Sequence, residues 1–436
     1  MSALATSDAV AGTPSNRQIL AAIVFSCLGW SLDLYDLFLL LFVAPVVGRL
    51  FFPSDVPTLS LAAVYASFAV SLLMRPVGSA LFGSIADRQG RKRAMVIAIV
   101  GVGIATALFG VLPTIADIGV VAPILFLLLR LVQGVFVGGV VASTHTIGTE
   151  SVPERWRGVL SGFIGGGGAG IGALLASIAL AVISAIFPGP QFAIWGWRCL
   201  FFTGLLSAAL GLFVFRALEE SPLWRQAAPA AKTQHPVGML FRVPHRRVLL
   251  INLLLSTGGG AGYYLTSGFL PSFLKLVNRL DHADTAHILI LGSLVTILAS
   301  TAFGALSQGI GRKPTFLIAG ILNIIALPIL YLHMGAARDL ADVTIFALII
   351  SFLGNIAYAP ILIFFNERFP TTPRATGTGL SWNIGFALGG TTPLLVSLFS
   401  GSLAGIPHAL AVFCVLLFLL YLIGALLVPE TKGRLA

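Results

Sequence analysis

Cysteine is nearly absent from this chain: Cys27, Cys199 and Cys414 are the only three in 436 residues. They lie far apart, inside or at the edge of apolar runs, with no CxxC or Cys/His spacing. That excludes a cysteine-bound metal and leaves them as small, inert hydrophobes. Charge is scarce as well, at 10% of residues against 57% hydrophobic, with a mean hydropathy of +0.98. No soluble core could hide so much apolar surface, so the chain belongs in a bilayer. A phosphate-binding loop is also missing. The run Gly165-Gly166-Gly167-Gly168-Ala169-Gly170 lacks both a preceding strand and a Gly-Lys-Ser/Thr end, so it reads as close helix packing and a flexible rocking element, and ATP is not the energy source. No nucleophile-base pair or metal-ligand spacing occurs in the apolar runs, so an enzyme is not expected, nor any cofactor or metal.

What is present is span after span. A transmembrane helix needs roughly 20 apolar residues, and twelve such stretches read as spans near 20–48, 59–83, 94–115, 121–147, 158–186, 197–216, 247–274, 286–308, 313–333, 342–366, 374–400 and 408–428. The expected fold is therefore an all-α membrane protein of twelve transmembrane helices in two six-helix bundles. Residues 1–18 read as a poorly ordered, uncleaved tail, 19–216 and 247–428 as the bundles, 217–246 as a polar linker and 429–436 as a second tail. The net charge of +10 follows topology rather than nucleic acid: with both termini cytoplasmic, most Lys and Arg fall in the inner segments, as the positive-inside rule requires.

The two halves repeat. Gly83-Ser84-Ile85-Ala86-Asp87-Arg88-Gln89-Gly90-Arg91-Lys92 has a weaker copy in Gly304-Ala305-Leu306-Ser307-Gln308-Gly309-Ile310-Gly311-Arg312-Lys313. Glu150, Pro153, Arg157 and Gly158 recur as Glu367, Pro370, Arg374 and Gly377. The first pair reads as short, glycine-spaced, basic loops between spans, suited to helices that pack closely yet slide. Parallel halves of this kind place a substrate site between them at mid-membrane.

These motifs, with Arg130-Leu131-Val132-Gln133-Gly134 and Gly138-Gly139 in the fourth span, resemble the major facilitator superfamily across nearly the whole chain. Within it, Gly29-Trp30-Ser31-Leu32-Asp33-Leu34-Tyr35-Asp36-Leu37-Phe38 and Met74-Arg75-Pro76-Val77-Gly78 are similar to the sialate:H+ and metabolite:H+ symporter families. The resemblance implies a proton-coupled carrier in the plasma membrane with a cytoplasmic gate built from Asp87, Arg88, Arg91, Glu150, Arg157, Arg312, Glu367 and Arg374. Lys92 and Arg93 serve equally well as ordinary positive-inside anchors. Gln308 departs from the family's usual Asp; it removes a charge partner for Arg312 and should leave the second gate motif less tightly latched. The fifth span lacks the Gly-Pro pair that marks drug-proton antiporters in this superfamily, which favours uptake by symport.

Of 16 acidic residues, Asp33 and Asp36 alone fall mid-span. A charge at the bilayer centre costs about 2.5 to 3.5 kcal/mol on insertion scales, so such residues face a protein interior or a water cavity. Three positions apart, they share one helical face, at depths of roughly 20 and 24 Å. Arg130 comes level with Asp36, and Arg75, nearer the inner face, comes within reach of Asp33. One acid is the expected proton carrier. Arg130 and Arg75 either hold that carboxylate or bind the substrate's, for which a guanidinium's planar fork is suited. Permanent structural ion pairs are the alternative, and Arg75 could simply snorkel. Gln133, Tyr263, Tyr264, Asn355, Trp382 and Asn383 join the candidate substrate site; the amides serve equally as interhelical glue. His145, near the inner end of its span, reads as solvated or backbone-bonded.

The expected function is symport of a small organic anion, a carboxylate, with protons, by alternating access, and the expected partners are that anion, protons and the lipid bilayer, with the protein a monomer. The alternatives are an exporter, a sugar or polyol carrier, or a membrane sensor that binds without transport. Few amides converge in the spans, which disfavours a sugar.

Overall fold

The computed structural model describes residues 16–434 apart from 56, 218–219, 221–235, 243–244, 281 and 372. Most of the expected tail 1–18 and of the linker 217–246 lies outside the described residues. Among those described there is helix and no strand, as a chain in hydrocarbon requires, because a helix satisfies its own backbone polar groups. Among the described residues, twelve helices are long and apolar enough to cross a membrane: α1 Ile19–Phe51, α2 Ala62–Gln89, α3 Arg91–Phe109, α4 Val121–Glu150, α5 Glu154–Ile186, α6 Phe192–Phe213, α7 His245–Leu276, α8 Asp284–Ile310, α9 Arg312–Ala336, α10 Leu340–Arg368, α11 Arg374–Phe399 and α12 Leu403–Leu427.

The glycine-spaced motifs are not loops. Helix α2 continues through Gly83 to Gln89 and α3 begins at Arg91, so the connection is Gly90 alone, at φ 120°; Gly311, at φ 106°, does the same between α8 and α9. Only glycine adopts such a φ without strain. The turn that follows exposes backbone N–H groups with no partner inside the helix. Two glutamates supply one. Glu220 accepts from the N–H groups of Arg91 and Lys92 at 3.0 and 3.2 Å. Glu430 accepts from those of Arg312 and Lys313 at 2.9 and 3.0 Å.

Packing repeats in the two halves. Within α1–α6, α1 lies on α5, α2 on α4 and α3 on α6; within α7–α12, α7 lies on α11, α8 on α10 and α9 on α12. The bundles meet along α2–α11 and α5–α8, with α4 also reaching α11. Glycine sets how close these helices come. A Cβ at Gly304 would stand 2.6 Å from the Gly158 carbonyl and 2.9 Å from the Gly162 Cα, and one at Gly83 would stand 3.0 Å from the Thr376 Cα. Backbone therefore rests on backbone at the seam. Helices α5 and α7 each contain a π-helical turn, Phe163–Gly167 and Tyr264–Gly268, a feature frequent at functional sites.

Candidate functional site

The face on which α1 begins and α12 ends, called here the terminal face, is sealed by charges taken almost wholly out of solvent. Asp87, Arg91, Arg312 and Arg374 are at most 1% exposed. In the first bundle Asp87 pairs with Arg91 across one turn, and Glu150 lies 2.9 Å from Arg374 and 3.6 Å from Arg91. The Glu150–Arg374 pair crosses the seam. So do the bonds that the Thr376 N–H and hydroxyl donate to Asp87, at 3.1 and 2.5 Å. In the second bundle the Arg312 guanidinium grips Glu367 through both carboxylate oxygens, at 3.1 and 2.8 Å.

Gln308 therefore does not leave Arg312 without an acid. Its carbonyl oxygen accepts from Arg312 at 2.9 Å and from the Gly158 N–H across the seam at 3.1 Å. Two expected gate residues stand apart from this layer. Arg88 points out of it, exposed on the surface of α2, because its position on the helix turns away from α11. Arg157 is half-buried at the rim, in the field of Glu154, Glu150 and Glu367.

One layer deeper, His145 is neither solvated nor backbone-bonded. It is buried, its Nε2 lies 3.0 Å from the Ser161 hydroxyl, and its Nδ1 lies 3.2 Å from the Asn366 amide nitrogen. Asn366 also donates to Thr149 at 2.9 Å and accepts from Thr378 at 2.7 Å. This node ties α4 and α5 to α10 and α11. Nothing in the sequence pairs residues so far apart.

The two acids part company. Asp33 and Asp36 are 3% and 1% exposed, and no carboxylate oxygen of either has a hydrogen-bond partner. Asp33 faces the seam: Arg75 acts on it from its own bundle, and Tyr263, Tyr264 and Tyr358 of the second bundle feel its charge. Asp36, 60° around the helix, faces the interior of the first bundle, beside Thr106 and Arg130. The Thr106 hydroxyl accepts from Gln133 at 2.7 Å and makes no well-formed bond to the acid. Neither expected pair closes to contact, so the reading as permanent ion pairs does not hold in this state.

The substrate candidates divide in the same way. Arg130 donates to Gln133 at 2.6 Å, and its guanidinium lies 4.6 Å and 5.5 Å from the ring centres of Phe109 and Phe126. Both residues are thus held inside the first bundle, away from the seam. Asn383 is committed too, donating to Ser79 of α2 at 2.6 Å as a tie across the seam. Arg75, Tyr263, Tyr264, Trp382 and Asn355 remain around the centre. Buried and without partners there are the Arg75 Nε, the Tyr263 hydroxyl, the Trp382 Nε1 and the Asn355 Oδ1.

Aromatic rings wall the second-bundle side. Trp382 stacks on Phe386 with centres 3.8 Å apart and meets Tyr358 at 5.1 Å, while Tyr358 stacks on Tyr263 at 5.2 Å. Trp30 closes this wall from α1, edge-on to Trp382 at 5.9 Å, and its Nε1 donates to the Gly165 carbonyl in the π-turn of α5 at 2.6 Å. The sequence reading missed Trp30 and Phe386 as site residues. A signal existed for Trp30, which precedes Asp33 by three positions and so shares its face. On the far face Tyr65 meets Ser272 at 2.8 Å and its ring stacks on Phe269 at 5.7 Å, so the centre is closed from both sides.

The sequence profile described as Major Facilitator Superfamily matches residues 19–392. A proline/betaine transporter of Salmonella typhimurium is 30% identical over 395 residues, covering 86% of this chain and 77% of that protein. The shikimate transporter of Escherichia coli is 29% identical over 431 residues, covering 97% of each chain. Among solved structures, the proton:xylose symporter XylE superposes with a TM-score of 0.73 at 19% identity, over 96% of this chain and 97% of that one; at that identity the likeness concerns the fold.

Proposed function

Because the chain belongs to the Major Facilitator Superfamily, and is therefore a secondary transporter and not an enzyme, we propose that it carries a small carboxylate-bearing solute inward together with protons. The terminal face is then cytoplasmic, the six charges that seal it are the inner gate, and the two bundles rock about the seam. Asp33 is the proton site, with Asp36 behind it. Arg75 receives the solute's carboxylate, and the aromatic wall of Trp382, Tyr358 and Tyr263 takes the solute's body.

The observation that carries this reading is the Asp33 carboxylate, buried at the seam with no donor to hold its charge. A buried carboxylate without a hydrogen-bond donor is costly to keep ionised even with Arg75 nearby, so in this reading the closed state is reached with a proton aboard. Opening wets the acid, and the proton leaves. Two of the amides that a sugar would need are already spent, Gln133 on Arg130 and Thr106 and Asn383 on Ser79. The solutes in the relatives' names, proline, betaine and shikimate, all carry a carboxylate.

The test is uptake into proteoliposomes under an imposed pH gradient. Asp33→Asn is expected to abolish accumulation while leaving solute exchange, and Asp36→Asn to slow it. Gradient-driven accumulation retained by Asp33→Asn would falsify the proton assignment.

A further inference from the structure

A small cavity lies beside this centre, between α1, α5, α7, α8 and α10, where about 30 Å³ remains open. That is room for roughly two waters. Tyr263 joins it to the centre, since the residue both lines the cavity and feels the charges of Asp33 and Arg75. The hydroxyls of Ser293 and Ser351, also in its wall, give their protons to their own helices, to Leu289 and Ala347, each at 2.8 Å. What they have left to offer is lone pairs. Thr296 and Ser267 are turned toward the Asn355 amide nitrogen at 3.0 and 3.3 Å, and the Asn355 Oδ1 behind them has no donor. The hydroxyl of Tyr263, a residue 2% exposed, is buried and has no hydrogen-bond partner. No cationic residue is among those lining the space.

We propose that this cavity is the subsite for a hydrogen-bond-donating group of the solute, an N–H or O–H, so that the protein selects carboxylates bearing such a donor over their N- or O-alkylated counterparts. The proposal rests on the carboxylate reading above. The two ends of the solute are sorted by chemistry. A carboxylate finds no cation there and goes to Arg75, whereas a donor finds the free lone pairs of Ser293 and Ser351 and the Tyr263 hydroxyl, which is costly to leave buried without a partner. The adjacent π-turn of α7 places Ser267 in this wall. In the closed state the space is too small for a whole solute, so it admits the donor end as the bundles part.

The experiment measures the thermal stabilisation of the purified full chain by matched pairs that share a carboxylate and in which methylation removes the donor, the variants below separating loss of the hydrogen bond from added bulk. The pairs are L-proline against N,N-dimethyl-L-proline, and 3-hydroxybutyrate against 3-methoxybutyrate. The donor-bearing member of each pair that binds is expected to do so about three- to tenfold more tightly. Tyr263→Phe and Ser293→Ala are each expected to shrink that ratio toward unity. Tyr263 loses a hydroxyl that bonds nothing, and Ser293 one bonded only within its own helix, so both variants keep the fold. If both members of a pair bind alike, or the alkylated member binds more tightly, the donor subsite is overturned and the carboxylate carrier stands. If no member of either pair stabilises the protein, both readings are overturned.

Discussion

At the scale of single residues, position on a helix decides role more than residue type does. Asp33 and Asp36 are the same acid one turn apart, yet the charge of one acts on tyrosines of the second bundle and the other lies beside Thr106 and Arg130 inside the first. The same division separates Arg75 from Arg130. Arg130→Lys is expected to leave the apparent affinity for solute within about twofold and to lower the transport rate, because an ammonium cannot both hold Gln133 and lie flat between two rings. Arg75→Lys is expected to weaken apparent affinity about tenfold or more, since it loses the fork that a carboxylate engages. Uptake measured as KM and kcat for the two variants checks both, and equal effects on affinity would remove the distinction.

The sequence made Asp33, Asp36, Arg75 and Arg130 conspicuous because charge inside an apolar run is costly and easily seen. It left their facing open. These helices are apolar nearly all round, so no hydrophobic stripe fixes their rotation. An error of one residue in register turns a side chain by 100° and moves it from seam to bundle interior. The spans themselves were legible because the bilayer imposes a length, and the repeated motifs because the halves are copies. Trp30–Gly165, His145–Asn366 and Gly158–Gln308 were not, because each joins residues far apart in the chain through contacts that only the packed bundles create.

At the scale of helices and turns, what reads as a short basic loop in sequence is two helices with one glycine between them. The glycines on either side serve contact, which makes them testable. Gly304→Ala would place a methyl group against the backbone of α5 at Gly158 and Gly162, where no side chain can rotate away. The terminal face is expected to spread along α5–α8, with a loss of about 1 to 3 kcal/mol in thermal stability and faster labelling of a cysteine introduced on the terminal-face side of Asn366. Unchanged labelling would show that the seam tolerates the extra atom.

The capping glutamates belong to this scale too. Burial alone would push the Glu430 carboxyl up, but the N–H groups of Arg312, Lys432, Lys313 and Thr431 hold it below the usual glutamate range. A group held down in the folded state stabilises above its ordinary pKa and loses that contribution as pH falls through its folded value. Glu430→Gln is therefore expected to lower stability by about 0.5 to 1 kcal/mol at neutral pH. The gap to the parent should close on acidification below the glutamate range; a gap independent of pH would mean that the carboxylate's charge does not matter there.

At the scale of the whole molecule, the seam holds two sets of bonds that rocking must treat in opposite ways. Opening the terminal face breaks Glu150–Arg374, Thr376–Asp87, Gln308–Gly158 and the His145–Asn366 node together, while Tyr65–Ser272 and its stacked ring stay closed on the far face. Glu150 is the pivot of the first set, since Arg374 and Arg91 both lie against it. Glu150→Gln takes from the buried Arg374 its carboxylate across the seam and from Arg91 the second of its two acids, Asp87 being kept, and removing one partner of a buried pair costs about 3 to 5 kcal/mol. Arg374→Gln is milder, because Glu150 keeps Arg91. Spin labels on the terminal-face ends of α4 and α10 should therefore report a longer distance in Glu150→Gln than in Arg374→Gln, and both longer than in the parent. Labels on the far face, near Tyr65 and Ser272, should stay close in all three. Equal distances in the two variants would show that Arg91 takes no part in the seal, and Glu150 would then act there through Arg374 alone.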